Sequence, residues 1–137
     1  ADRRRLVSEP CDVLVVDDEQ VVRDAIALVL SGEGLRVHGV PDLETALADP
    51  AHATCRLAIC DLMLPGVSGA EAVAALRRAR PDLPVLVITG YATPAHAERV
   101  RAAGAIEFLP KPFDDAELLN LVRRALAGVD AGEEKLP

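Results

Sequence analysis

Leu57-Ala58-Ile59-Cys60-Asp61 is an aliphatic run closed by a carboxylate, and Leu62-Met63-Leu64-Pro65-Gly66 follows it directly. A short apolar run ending at Pro-Gly reads as a strand buried on both faces and then a turn. An unpaired carboxylate is costly inside a core, so Asp61 belongs at the strand's carboxyl end, where water or a metal reaches it. Three other apolar runs end alike: Val13-Leu14-Val15-Val16 in Asp17-Asp18, Val85-Leu86-Val87-Ile88 in Thr89-Gly90, and Ile106-Glu107-Phe108-Leu109 in Lys111-Pro112. With these strands parallel, three carboxylates, a hydroxyl and an ammonium converge on one rim. Open α/β sheets place their ligands there.

Half of the 137 residues are hydrophobic but only 2% are aromatic, so the core is built from Val, Leu, Ile and Ala. That suits parallel strands covered by helices, in one domain of this length. A formal charge of −7 argues against a nucleic-acid-binding face, and the short Arg3-Arg4-Arg5 cluster reads as a solvated tail. Three cysteines, with Cys60 inside a central strand, do not suggest a disulfide scaffold and fit a reduced, cytoplasmic setting. With no Cys-x-x-Cys pair and with His38, His52 and His96 scattered, a cysteine metal site is not expected. No apolar run approaches the ~20 residues that span a bilayer, and no signal peptide is visible.

Residues 1–10 read as a linker or tail, 11–128 as the folded domain and 129–137 as a second tail or linker. The first strand is expected over about 12–17. A helix follows with Val22, Ala25, Ile26, Val29 and Leu30 on its apolar face, closing at Ser31-Gly32. Residues 35–40 alternate as a short edge strand, and Asp42 opens a second helix with Leu43, Ala46 and Leu47 inward. Ser68 and Glu71 form a capping-box pattern for a third helix, with Val73, Ala74 and Leu76 buried. Thr93-Pro94 starts a fourth helix, whose face (Ala97, Val100, Ala103) offers little large apolar surface. Asp114 or Asp115 caps a fifth, with Leu118, Leu121, Val122, Ala125 and Leu126 inward. Five strands alternating with helices predict a doubly wound α/β sheet, flavodoxin-like, in order 2-1-3-4-5.

Clustered carboxylates repel, and a hard divalent cation relieves that repulsion through oxygen ligands. Few ligands and retained waters are the pattern for Mg²⁺. Aspartate is an accepted nucleophile in phosphoryl transfer, where positioning and charge neutralisation supply most of the catalysis. Val15-Val16-Asp17-Asp18-Glu19, Asp61-Leu62-Met63-Leu64-Pro65-Gly66, Ile88-Thr89-Gly90 and Phe108-Leu109-Pro110-Lys111-Pro112-Phe113 together resemble the signatures of two-component response-regulator receiver domains, in order and over about residues 12–127. The resemblance implies that Asp61 is the phosphoacceptor. It implies that Asp17, Asp18, Asp61 and the backbone carbonyl of Met63 hold Mg²⁺, and that Thr89 and Lys111 bind phosphoryl oxygens. Thr89 and Phe108 become the switch pair, and Pro112 follows a cis peptide bond.

The implied donor is a histidine kinase or histidine phosphotransfer protein. A homodimer or partner surface is implied on the fourth and fifth predicted helices and the fifth strand, with no nucleic acid and no membrane insertion. A phosphohydrolase of the haloacid-dehalogenase type also uses a strand-end Asp, Mg²⁺, a hydroxyl and Lys. It needs a second Asp two residues after the nucleophile, and Met63 occupies that position without a transferable proton. A receiver that only binds partners would not need every chemical position filled. Met63 and Tyr91 flank the attacking water in the family, so an apolar Met63 predicts slow dephosphorylation. Cys60 reads as packing.

Overall fold

The computed structural model describes residues 11–90 and 93–135, the side chains of 51 and 130–135 apart. The expected N-terminal segment 1–10, Tyr91 and the last two residues of the expected tail lie outside these described residues. Five strands, β1 (Val13–Val16), β2 (Val37–Val40), β3 (Leu57–Asp61), β4 (Val85–Thr89) and β5 (Glu107–Pro110), form one sheet in the order β2-β1-β3-β4-β5. Every pairing is parallel. The helices between them are α1 (Gln20–Ser31), α2 (Leu43–Ala48), α3 (Ala51–Thr54), α4 (Gly69–Ala79), α5 (Pro94–Ala102) and α6 (Asp115–Lys135). The doubly wound order expected from the alternation of strands and helices is the observed one.

Strand alternation divides the core into two layers. Leu14, Val16, Ala58, Cys60, Val85 and Val87 face α2, α4 and α5, with Ala46, Ala72, Val73, Leu76 and Val100 packed against them. Val13, Val15, Leu57, Ile59, Leu86 and Ile88 face α1 and α6, against Ile26, Leu30, Leu118 and Val122. β1, β3 and β4 are buried along their whole length, which is why they read as continuous aliphatic runs. β2 is half exposed and lies at the edge, as its polarity predicts.

Side-chain caps start α2, α4, α5 and α6 where the sequence placed them, while Glu19 makes no cap bond at the start of α1. Asp42 accepts the Thr45 N–H at 2.7 Å, Ser68 the Glu71 N–H at 3.1 Å, and Thr93 the His96 N–H at 3.2 Å. Asp114 is the cap of α6: it accepts the Glu117 N–H at 2.8 Å while Glu117 Oε1 accepts the Asp114 N–H at 3.2 Å, a reciprocal capping box.

Several expectations shift. Gly32 is right-handed (φ −62), and Gly34 at φ +83 supplies the left-handed residue instead, with the Leu35 N–H reaching back to Leu30 O at 3.2 Å. Ala25 and Leu47 are exposed because the buried stripes of α1 and α2 are narrower than their apolar spacing suggests. The alternating edge strand pairs only from Val37, and the short α3 has too few residues to leave a periodic signature. Past Gly128, where apolar spacing lapses, the backbone of α6 stays helical to Lys135. α5 is anchored by one fully buried side chain, Val100. No helix among the described residues is long and apolar enough to cross a membrane.

Candidate functional site

The carboxyl ends of β1, β3, β4 and β5 deliver the site. Asp17 follows Val16 directly, Asp61 and Thr89 end their strands, and Lys111 follows Pro110. Parallel register sets Asp61 against Ile88 and Thr89 against Pro110, so the four ends stand side by side. After β3, Gly66 at φ +74 turns the chain back toward α4, in the Pro-Gly turn read from the sequence.

Asp17 and Thr89 are fully buried and Asp61 is 3% exposed. Ligand oxygens of Asp17, Asp18, Glu19 and Asp61 all lie within 4.8 Å of one another, a group that could hold a metal ion. Glu19 is the member that sequence reasoning missed. Its signal was present, since it directly follows the Asp17-Asp18 pair. Lys111 Nζ stands 3.7 Å from Asp17 Oδ2, 3.7 Å from Asp61 Oδ2 and 3.9 Å from Glu19 Oε1. One ammonium therefore faces three carboxylates, and the site stays net negative.

Hydrogen bonds fix the two buried carboxylates unequally. Asp17 Oδ1 accepts the Glu19 N–H at 2.8 Å and Asp61 Oδ1 accepts the Met63 N–H at 3.1 Å. Asp17 Oδ2 is buried with no hydrogen-bond partner, the Lys111 ammonium being within ion-pair range but too far to donate. Burial pushes the Asp17 carboxyl above the ordinary aspartate range; the Glu19 N–H opposes this, the neighbouring Asp61 charge adds to it and Lys111 opposes it. Arg23 Nη1 donates to the Asp17 carbonyl at 2.6 Å and holds the strand end from behind, a contact with no local sequence signal.

The remaining expected residues also take up positions at or beside this rim. The Lys111 N–H donates to Thr89 O at 2.6 Å, and the Lys111–Pro112 peptide is cis. Met63 exposes 63% of its surface beside Asp61, offering a backbone carbonyl and an apolar side chain but no proton. Phe108 is half buried on β5 opposite Val87, on the same sheet face as Thr89 and diagonal to it. Asp18 and Glu19 are exposed at the mouth. The arrangement brings together a buried carboxylate, an acidic cluster that could hold a metal ion, an ammonium and a hydroxyl, open on one side.

A family model described as the response regulator receiver domain matches residues 13–123. The chain is 33% identical over 135 residues to the DNA-binding transcriptional regulator NtrC of Azospirillum brasilense, covering 91% of this chain and 28% of that protein. It is 32% identical over 121 residues to the transcriptional regulatory protein FixJ of Rhizobium meliloti, covering 88% of this chain and 59% of that one. The chain thus spans less than two thirds of these curated relatives. Among solved structures, the chemotaxis protein CheY4 of Vibrio cholerae superposes with a TM-score of 0.78 at 31% identity, over 86% of this chain and all of that one.

The unpartnered Asp17 oxygen sets up a stability test. A carboxyl whose pKa is raised by folding stabilises the fold below its unfolded pKa and loses that contribution as pH rises through the folded one. At neutral pH, with a chelator present, Asp17→Asn should melt about 2–5 °C higher than the wild type. Differential scanning calorimetry showing an unchanged or lower melting temperature would contradict the strain assigned to this carboxylate.

Proposed function

The chain belongs to the response regulator receiver domain family, and on that premise we propose that it accepts a phosphoryl group onto Asp61 from a histidine kinase or histidine phosphotransfer protein. The observation that supports this best is the buried Asp61 carboxylate, 3.7 Å from the Lys111 ammonium inside a four-carboxylate cluster. A hard divalent cation, Mg²⁺ in this reading, fits the donor set: the buried Asp17 Oδ2 lacks a partner and the oxygens are hard ligands. Asp17, Asp18, Asp61 and the Met63 carbonyl would hold it, with Glu19 at the mouth. The cation would neutralise charge on the transferring group.

In this reading Asp61 attacks the phosphorus in line with the donor nitrogen, and the P–N bond breaks as the aspartyl O–P bond forms. Lys111 and Thr89 hold the phosphoryl oxygens. Met63 offers no group to activate water, which supports slow hydrolysis and leaves a haloacid-dehalogenase chemistry without its acid/base. Val21 and Leu28 are 79% and 78% exposed on α1, which starts beside Asp18 and Glu19, and so present an apolar surface for the donor next to the acceptor. Residues 11–128 make up the receiver unit, in a cytoplasmic setting.

Output would run through Thr89 and Phe108. A phosphoryl group adds about −2 charge beside Lys111 and draws the Thr89 hydroxyl inward, opening room on the face Phe108 shares. A cavity of about 310 Å³ bounded by Leu62, Leu64, Val67, His96, Arg99 and Val100 separates the Asp61 loop from α5, so α5 has space to shift. The face of α5, β5 and α6 is then the surface for a partner or second copy.

Acetyl phosphate with Mg²⁺ should add one phosphoryl group to the wild type and none to Asp61→Asn, read by intact mass. An equal adduct on the variant would place the acceptor elsewhere. Beryllofluoride with Mg²⁺ should shift amide resonances through residues 93–110 as well as around Asp61. Shifts confined to the Asp61 loop would remove the switch and leave a phosphoryl store.

A further inference from the structure

The end of the sheet opposite the acidic rim carries a second group of reactive side chains. Cys11 stands two residues before Val13 and Cys55 two residues before Leu57, and Val13 pairs with Leu57 across β1 and β3. The two segments stay joined ahead of that ladder. The Arg56 and Leu57 N–H groups both reach Asp12 O, at 2.8 and 3.1 Å, and the Cys11 N–H reaches Thr54 Oγ1 at 3.1 Å. Both thiols are buried, Cys11 at 7% and Cys55 at 1% exposure, in the same core layer. After burial, the Cys55 charge is the next cause pushing the Cys11 thiol up to about 12.

Arg80 sits over Cys55, while Cys11 Sγ donates to Val13 O at 3.2 Å. Arg80 Nη1 donates to Cys55 O at 2.5 Å and His52 O at 3.0 Å and lies 3.8 Å from Cys55 Sγ. The guanidinium favours the thiolate of Cys55 against the burial that opposes it. The third cysteine, Cys60, lies toward the other end of β3, next to Asp61.

We infer that Cys11 and Cys55 are a dithiol pair that a peroxide converts into an intramolecular disulfide joining the start of β1 to the start of β3. Neighbouring strands run about 4.8 Å apart, inside the roughly 4.4–6.8 Å Cα separation that a disulfide spans. Cys11, the more exposed thiol, meets the oxidant first. Its thiolate attacks the peroxide O–O bond, forming a sulfenic acid and releasing water once the thiol proton is counted. The Cys55 thiolate then attacks the sulfenic sulfur, the S–S bond forms, the S–O bond breaks and a second water leaves. Two thiols are oxidised and one peroxide is reduced to two waters. Burial keeps both thiols protonated, so the reaction is slow at neutral pH and quickens as pH rises. The closed ring contains β1, α1 and β2, and with them Asp17, Asp18 and Glu19, so the bond restricts unfolding of the segment that carries the acidic cluster.

The test treats the natively folded full chain with hydrogen peroxide, blocks residual thiols with N-ethylmaleimide and maps peptides without reduction. Expected are a loss of about 2 Da in intact mass before alkylation and, after alkylation under denaturing conditions, one linked peptide pair containing Cys11 and Cys55, Cys60 alkylated, and reversal by dithiothreitol. The oxidised wild type should melt several degrees higher than the same sample after reduction, a readout that needs no variant. Cys11→Ala and Cys55→Ala, checked for folding by circular dichroism, should each lose the linked peptide. Alkylation of all three thiols, a link through Cys60, a link between two chains, or sulfinic acid without a link would each overturn the inference.

Discussion

The structure depends on two buried carboxylates, Asp17 and Asp61, held at adjacent strand ends against a single ammonium. Each strand is aliphatic to its last turn, which puts its charge where the sheet opens to solvent and nowhere else. Lys111 approaches both at 3.7 Å without hydrogen bonding to Asp17 Oδ2. The fold thus holds a concentrated negative site that its own residues only partly neutralise. Its parallel register leaves the carboxylates no independent way to move apart. The apolar layers on both faces of the sheet keep that register fixed, so the packing of Ile59 and Leu86 bears directly on the spacing of charged groups at the rim.

Much of this was legible in the sequence, for a specific physical reason. A strand buried on both faces has no polar alternation, so its end is marked sharply by the first charged residue, as at Val16-Asp17 and Cys60-Asp61. The edge position of β2 followed from its polarity in the same way. Capping residues were legible where one side chain does the work, as at Ser68 and Thr93. What was not legible depends on distance in space or on fine backbone geometry. The hold of Arg23 on the Asp17 carbonyl needs the crossover of α1 to be known. Gly32 and Gly34 are equivalent on paper, and only the helix's phase decides which turns left-handed. Ala25 and Leu28 fall on the outer face of α1 although their residue types would suit its core.

The two core layers differ in a way that bears on signalling. The α1 and α6 layer is filled by long aliphatic side chains from both helices, Ile26, Leu30, Leu118 and Val122 among them. The layer under α5 has Val100 as that helix's one fully buried contribution, with an open cavity alongside the Asp61 loop. Sparse packing next to a charged site lowers the cost of shifting α5.

Burial pushes the Asp17 carboxyl above the ordinary aspartate range, so a cation bound at this rim should displace protons from it. Titration calorimetry with Mg²⁺ at about pH 5, in two buffers of different ionisation heat, reads the protons displaced when the metal binds. Mg²⁺ should bind with an apparent heat that changes with the buffer, and Asp17→Asn should lose that buffer dependence. Absence of Mg²⁺ binding, or heats that are the same in both buffers for the wild type, would contradict this proton linkage.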